Sequence, residues 1–167
     1  ANLKNNEIVV TSDGTACIAT FQVANIKKGQ RLFSNSGSAS MGYGLPASIG
    51  ASCATNKQII CIEGDGSIQM NLQDLASASK SNKNLKIFVI NNGGYLSIKQ
   101  TQENYFPDNI SGTGPKNGLN FPNFEKISAA YNLKYKKLVS KNTIDRDIKS
   151  ILRIKGPMLC EIMVSDK

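Results

Sequence analysis

The strongest constraint on this chain is an alternation. Six short apolar runs, at 7–11, 31–34, 58–62, 86–90, 134–139 and 158–164, are separated by stretches long enough to hold a helix. Several runs are rich in β-branched residues and almost continuously apolar, as strands covered on both faces must be. Helices are expected over 15–25, 46–55, 68–80, 121–131 and 143–154. Pro46 suits a first helical turn, where its missing N–H removes no hydrogen bond. Ser67 and Asn142-Thr143 are candidate N-caps. Over 68–80 the helical period places Ile68, Leu72, Leu75, Ala76 and Ser79 on one face. Strands alternating with helices predict a three-layer α/β/α domain around a mainly parallel sheet. The 167 residues are expected to form one such domain.

Ligands of such sheets bind beyond the carboxyl ends of the strands. Every conspicuous glycine cluster here follows a predicted strand: Asp13-Gly14, 37–44, 64–66 and Gly93-Gly94. Several loops thus converge on one edge, as a cofactor site requires. The stretch 103–120 is polar, rich in Gly, Pro, Asn and Ser, and without periodicity. A loop of that length in a compact fold is usually functional or disordered, and a mobile lid over the site is expected.

Composition removes several chemistries. The chain has no histidine, which excludes Ser-His-Asp and Cys-His catalysis and most zinc sites. Cys17, Cys53, Cys61 and Cys160 form no C-x-x-C pair and lie in apolar stretches, so buried, reduced thiols of a cytoplasmic protein are expected. The net charge of +8 comes from scattered lysines without interleaved aromatics. That reads as a solvated surface, or attraction for an anionic small molecule, rather than nucleic-acid binding. No apolar run reaches the length of a membrane span, and residues 1–6 lack the apolar core of a secretory signal.

The chemistry concentrates in Ile62-Glu63-Gly64-Asp65-Gly66-Ser67, where a strand ends, a carboxylate sits between two glycines and a helix is expected to begin. Glycines allow close backbone approach, and Ser67 with the first helical amides can donate to phosphate oxygens. A carboxylate beside a phosphate repels it unless a cation lies between; Mg²⁺, which favours oxygen ligands, resolves the conflict. A plain strand-turn-helix connection would look the same. The balance shifts with Asn91-Asn92-Gly93-Gly94, which follows the next strand and sets Asn92 27 residues after Asp65. One helix and one strand between them return the chain to the same sheet edge. Asn92 can offer an amide oxygen and Gly94 its carbonyl. A competing pattern, Gly42-x-Gly44-x-x-Ala47 with Glu63 further on, fits a dinucleotide fingerprint on paper. Its first glycine lies too far from the preceding strand, however, and Pro46 removes an amide where pyrophosphate would sit.

The G-D-G-S and N-N pair at this separation resembles the signature of thiamine diphosphate enzymes. Ser40-Met41-Gly42-Tyr43-Gly44-Leu45-Pro46-Ala47-Ser48-Ile49-Gly50-Ala51 is similar to the corresponding segment of acetolactate synthases and related 2-oxo acid enzymes, as are 64–75 and 95–102. The resemblance implies the thiamine diphosphate-binding fold, with Asp65, Asn92 and the Gly94 carbonyl holding Mg²⁺. It assigns Gly14, Thr15, Gly66 and Ser67 to the diphosphate and places Met41 beneath the bent cofactor. The Ala39 carbonyl would accept a hydrogen bond from the aminopyrimidine, and Ser40, Gly64 and Tyr95 complete the cofactor-binding set. The activating glutamate of this family belongs to a pyrimidine-binding domain, of the same or a neighbouring subunit. Glu7, Glu63, Glu103, Glu125 and Glu161 stand in the wrong motifs for it, so no catalytic group is expected in this chain.

The same resemblance implies an oligomer, at least a dimer, acting on a small 2-oxo acid as a decarboxylating or carboligating transferase or lyase. The chain would be the C-terminal, diphosphate-binding part of a longer enzyme, inactive alone. Other readings are a natural small subunit, as in sulfopyruvate or phosphonopyruvate decarboxylases, a non-catalytic thiamine diphosphate-binding module, and a nucleic-acid-binding domain. The chain lacks tryptophan, and Thr101 stands about where acetolactate synthases carry one near the channel mouth. The wall of the site therefore differs, and another 2-oxo acid is compatible with it.

Overall fold

The computed structural model describes residues 2–81 and 83–165; Ala1, Asn82, Asp166 and Lys167 lie outside the described residues. One sheet carries six strands: β1 (Ile8–Thr11), β2 (Arg31–Phe33), β3 (Ile59–Gly64), β4 (Leu85–Asn91), β5 (Lys134–Leu138) and β6 (Met158–Met163). Its order is β2-β1-β3-β4-β6-β5, and every pairing is parallel. The helices are α1 (Thr15–Val23), α2 (Gly44–Ala54), α3 (Leu75–Ser81), α4 (Leu96–Tyr105), α5 (Phe124–Ala130) and α6 (Ile144–Arg153). The period of two along the strands divides their side chains between two cores. Val10, Ile59, Cys61, Ile87 and Leu159 pack with Leu45, Leu75 and Phe124 on one side. Val9, Ile60, Phe88 and Cys160 pack with Ile151 on the other. The arrangement is the expected three-layer α/β/α fold.

The order of the strands also fixes where a ligand can enter. From β1 the chain moves outward to β2, then crosses back past β1 to β3 and continues in that direction to β4. The loops after β1 and β3 therefore diverge, leaving a crevice at the carboxyl edge between them.

All six strands lie within two residues of their predicted positions. The helices differ more. The segment expected as one helix over 68–80 opens as a 3-10 turn, Ile68–Asp74, with Asn71 outside helical geometry at φ −135, ψ 36. The Asn71 side chain donates instead to the Gly42 carbonyl at 2.9 Å. Three residues per turn shift the inward face, so Ile68, Leu75 and Ala78 are buried while Ala76 is exposed. Pro46 does fall in the first turn of α2. Ser67 and Thr143 occupy N-cap positions, but neither side chain caps its helix. Asn123 does, accepting from the Lys126 amide at 3.0 Å, and so starts α5 later than expected.

Helix α4 was not foreseen, and the stretch 103–120 is more ordered than a structureless loop. It carries the end of α4 and two 3-10 turns, Pro107–Asn109 and Pro115–Asn117. The Tyr95 amide donates to the Thr113 carbonyl at 2.8 Å, and Gln102 exchanges two hydrogen bonds with Ser111. The cysteine expectation is corrected in part: Cys61 and Cys160 are buried, Cys17 is half-buried and Cys53 is exposed, all as free thiols. No helix among the described residues is long and apolar enough to cross a membrane.

Ile87 is fully buried at the centre of the sheet. Ile87→Ala should lower unfolding free energy by about 2–5 kcal/mol through lost burial and a residual cavity. Urea denaturation reads this directly, and a change within error would place the core elsewhere.

Candidate cofactor site

The register between β3 and β4 builds the site. Gly64 pairs with Ile90, and the Asp65 amide donates to the Ile90 carbonyl at 3.1 Å, so ladder pairing runs on into the turn after each strand. Asp65 is 2% exposed. Its Oδ2 accepts the Gly93 amide at 2.8 Å and the Gly94 amide at 3.1 Å, while Oδ1 accepts the Gly66 amide at 2.8 Å. Asn92 Oδ1 also accepts from the Gly94 amide, at 3.2 Å. Asp65 and Asn92 therefore present oxygens to one shared N–H and converge on one point. Asn91 is held on both sides: its Oδ1 shares the Gly93 amide with Asp65, at 3.0 Å, and its Nδ2 donates to Glu161 Oε1 at 2.6 Å. Glu161 on β6, 5% exposed, also accepts from Tyr135 and pairs with Lys137 at 3.7 Å.

These residues line an open cleft of about 120 Å³ at the β1/β3 crevice. Gly14, Thr15, Met41, Gly64, Asp65, Gly66, Ser67, Asn92, Gly94 and Tyr95 all reach it. Ala39 and Ser40 do not; they lie on the exposed loop leading to Met41. Ala39 is nevertheless unusual, with φ +48, a left-handed conformation that costs an alanine about 1–2 kcal/mol. Gly14 begins α1 at φ +82, where a side chain would be strained and where nothing lies within 4 Å of the missing Cβ. The Thr15 and Ser97 hydroxyls, 3.2 Å apart, join the starts of α1 and α4 at the cleft wall.

Two glycines are explained by close approach. A Cβ at Gly66 would lie 2.0 Å from the Tyr95 ring, which packs edge-on against Phe121. A Cβ at Gly94 would lie 2.3 Å from the Thr113 carbonyl. The absence of a side chain at Gly94 thus admits the 113–114 segment, a reason the sequence did not disclose. Ser67 reaches the cleft, but its hydroxyl is engaged from below: Oγ accepts the Gly42 amide at 2.9 Å and lies 2.7 Å from Ser12 Oγ.

Burial, the dominant influence, raises the Asp65 carboxyl above its ordinary range despite the amides of Gly66, Gly93 and Gly94. Three hydrogen bonds under-compensate its desolvation, and a cation would complete that compensation. Among the described residues no group of three or more His, Cys, Asp or Glu side chains is arranged to hold a metal. The donor set around the Gly94 amide is the Asp65 carboxylate and neutral oxygens, with Asp13 a second carboxylate in the cleft lining; it fits Mg²⁺, an ion that commonly completes its shell with phosphates and water.

Sequence reasoning missed the first turn of α4, whose Leu96, Ser97 and Ile98 line the cleft, and it missed the role of Glu63. Glu63 is fully buried, with Oε1 accepting the Leu45 amide at 2.9 Å and Oε2 accepting no hydrogen bond. Burial pushes its carboxyl up to about 7, against the pull of the nearby Ser67 and Ser12 hydroxyls and the Leu45 amide. A carboxylate so enclosed cannot meet a ribose, which disposes of the dinucleotide pattern.

A crevice at the sheet's switch point, walled by glycine loops and holding one buried carboxylate, defines a cofactor-binding α/β domain. The chain belongs to the family of thiamine pyrophosphate enzymes, as their C-terminal TPP binding domain, matched over residues 13–162. It is 32% identical over 140 residues to the acetolactate synthase large subunit of Porphyra purpurea, covering 83% of this chain and 23% of that protein. It is 32% identical over 164 residues to the large subunit from Lactococcus lactis subsp. lactis (strain IL1403), covering 97% and 28%. Against acetolactate synthase 1, chloroplastic, of Zea mays the figures are 32% over 166 residues, 96% and 26%. The chain spans about a quarter of the length of these relatives.

The raised pKa of Glu63 has a consequence for stability. Between its ordinary value of 4.5 and about 7, the folded state keeps a proton that the unfolded state has released. Stability should therefore fall as pH rises through that window and level off above it, by roughly 3–4 kcal/mol at most. Glu63→Gln should abolish this part of the slope, and Asp65, shifted the same way, cancels in the comparison. Equal slopes for both proteins in urea unfolding at about pH 5 and about pH 8 would refute the assignment.

Proposed function

We propose that the cleft binds the diphosphate of thiamine diphosphate through Mg²⁺, as the diphosphate-binding half of a 2-oxo acid decarboxylating or carboligating enzyme resembling acetolactate synthase. The observation that carries this reading is the convergence of Asp65 and Asn92 on the Gly94 amide at the mouth of the β1/β3 crevice. Asp65, Asn92 and the Gly94 carbonyl would hold the ion. The Gly14 turn, the free amides of the first turn of α1, and Gly66 would receive the diphosphate, because a helix N-terminus favours an anion. Ser67, its hydroxyl already engaged, would contribute its amide. Met41 would support the cofactor from the cleft floor, approached by the strained Ala39 and by Ser40. Tyr95, seated over Gly66, would close one side.

When bound, thiamine diphosphate supplies an electron sink for cleavage beside the carbonyl of a 2-oxo acid. Neither Glu63, sealed beneath the cleft, nor Asp65, which would serve the metal, is placed as its activating acid. The cleft is also small for a whole ligand, about 120 Å³ against the roughly 300–1,000 Å³ of enclosing pockets. Both facts support a site completed by a pyrimidine-binding domain from the same or a neighbouring subunit of an oligomer. Helix α1 supports it too. Its sequence carries no charge, yet Ile18 and Phe21 are about half exposed, and Ile98 of α4 likewise. An uncharged helix left in water is usually an interface. A small subunit paired with a separate pyrimidine-binding chain would use the same surface.

Calorimetry with thiamine diphosphate should give binding that depends on Mg²⁺, and Asp65→Ala should remove that dependence. An unchanged metal response would overturn the site. Salt-sensitive DNA binding with no cofactor response would instead support the nucleic-acid reading. The stretch 103–120 is proposed as a lid anchored at the Tyr95–Thr113 hydrogen bond. Its amides should exchange readily in the free protein and slow when cofactor and Mg²⁺ are added; core-like protection before addition would sink the lid.

A further inference from the structure

Glu63 has no place in the functions assigned above, although its position is demanding. It is the second-last residue of β3, and the strand's alternation turns it toward α2 together with Ile59 and Cys61. Its fully buried Oε1 accepts the Leu45 amide in the first turn of α2. Gly44 comes so near that a Cβ there would lie 2.5 Å from Oε1. Among the described residues only Glu63 Oε2 and Ser48 Oγ are buried side-chain atoms without a hydrogen-bond partner, and Ser48 lies on this same helix. Burying a carboxyl in such surroundings is costly. An apolar side chain would fill the space at lower cost, so the acceptor oxygen calls for a role.

The neighbouring hydrogen bonds indicate which. Segment 42–45 is held at three points. Ser67 Oγ accepts its first amide, Asn71 Nδ2 donates to its first carbonyl, and Glu63 takes its last amide. Two of these partners belong to the Gly64–Ser67 motif and the turn that follows it. Immediately before the segment stands Met41, which lines the cleft. We infer that Glu63 is a positioning residue: by gripping the Leu45 amide it fixes the start of α2, and through it the placement of Met41 against the cofactor. This rests on the reading of the cleft as a thiamine diphosphate site.

The test uses the full-length natural polypeptide loaded with thiamine diphosphate and Mg²⁺. Three quantities are read for each variant: the cofactor Kd, the near-ultraviolet circular dichroism of bound cofactor, and the exchange rate of its thiazolium C2 proton in D₂O. Glu63→Leu keeps the volume and removes the acceptor. It should leave Kd little changed, because Asp65 and the glycine amides still hold the diphosphate. It should alter the dichroism and slow exchange by about tenfold or more, as a displaced reacting geometry does. Glu63→Gln, which restores an acceptor oxygen, should recover both signals. Should the leucine variant not fold, Gly44→Ala carries the same test, since its Cβ displaces Oε1 while the carboxyl remains. A folded, loaded variant with wild-type dichroism and exchange overturns the role of Glu63. Wild-type protein that binds no thiamine diphosphate with Mg²⁺ overturns the reading of the cleft, and this inference with it.

Discussion

The parallel pairing of β3 with β4 is the interaction on which the site depends. Its register runs from Ile59 beside Leu85 to Gly64 beside Ile90, and one more hydrogen bond, from the Asp65 amide to the Ile90 carbonyl, carries it past the strand ends. Without that step the turn 91–94 would not lie under the Asp65 carboxylate. A slip of one residue would also exchange the faces of β3, sending the Glu63 carboxyl into the opposite apolar core among Ile60 and Phe88. The register is thus specified twice, by the apolar alternation of the strand and by the one orientation in which Glu63 finds an amide. The outer neighbour contributes too. Pairing of β4 with β6 brings Glu161 to Asn91, which anchors that asparagine while its Oδ1 accepts the Gly93 amide beside Asp65.

What was legible in the sequence follows from which forces act locally. Strand positions could be read because a strand covered on both faces must be apolar almost throughout, whatever its neighbours. Asp65 and Asn92 could be read because topology alone, one helix and one strand apart, returns both loops to one edge. Helix α4 could not, because it buries no residue and so carries no apolar stripe. Nor could the kink at Asn71, whose cause is a bond to Gly42 from a distant part of the chain. Gly94 looked like a ligand or a turn; its close neighbour Thr113 lies in a stretch with no pattern at all. Glu63 was the hardest. In the sequence it is one more acid beside a glycine motif, and only its enclosure against α2 shows what it contacts.

The resemblance to thiamine diphosphate enzymes named more residues than the fold has brought together. Ten of them share the cleft, a coincidence that chance spacing would not produce from four separate loops. Ala39 and Ser40 stand apart on the preceding loop. Their separation has a physical reading in the backbone, since Ala39 is held left-handed while its amide donates to the Asn35 carbonyl at 2.7 Å. Such strain persists only where the surroundings over-determine it.

The magnitudes indicate what does so. A left-handed alanine costs about 1–2 kcal/mol, and no single hydrogen bond, at a net of about 1 kcal/mol, reliably offsets it. Three bonds acting on the next few residues do, provided that their partners are themselves fixed. Ser67 and Glu63 are fixed by the β3 register, and Asn71 by the turn that begins at Ile68, a fully buried core residue. The strained loop, the start of α2 and the metal-side carboxylate therefore share one rigid support. A change that loosens the end of β3 would be felt at Asp65 through its lost amides and at Ala39 through a relaxed backbone. The two halves of the cleft would fail together rather than separately.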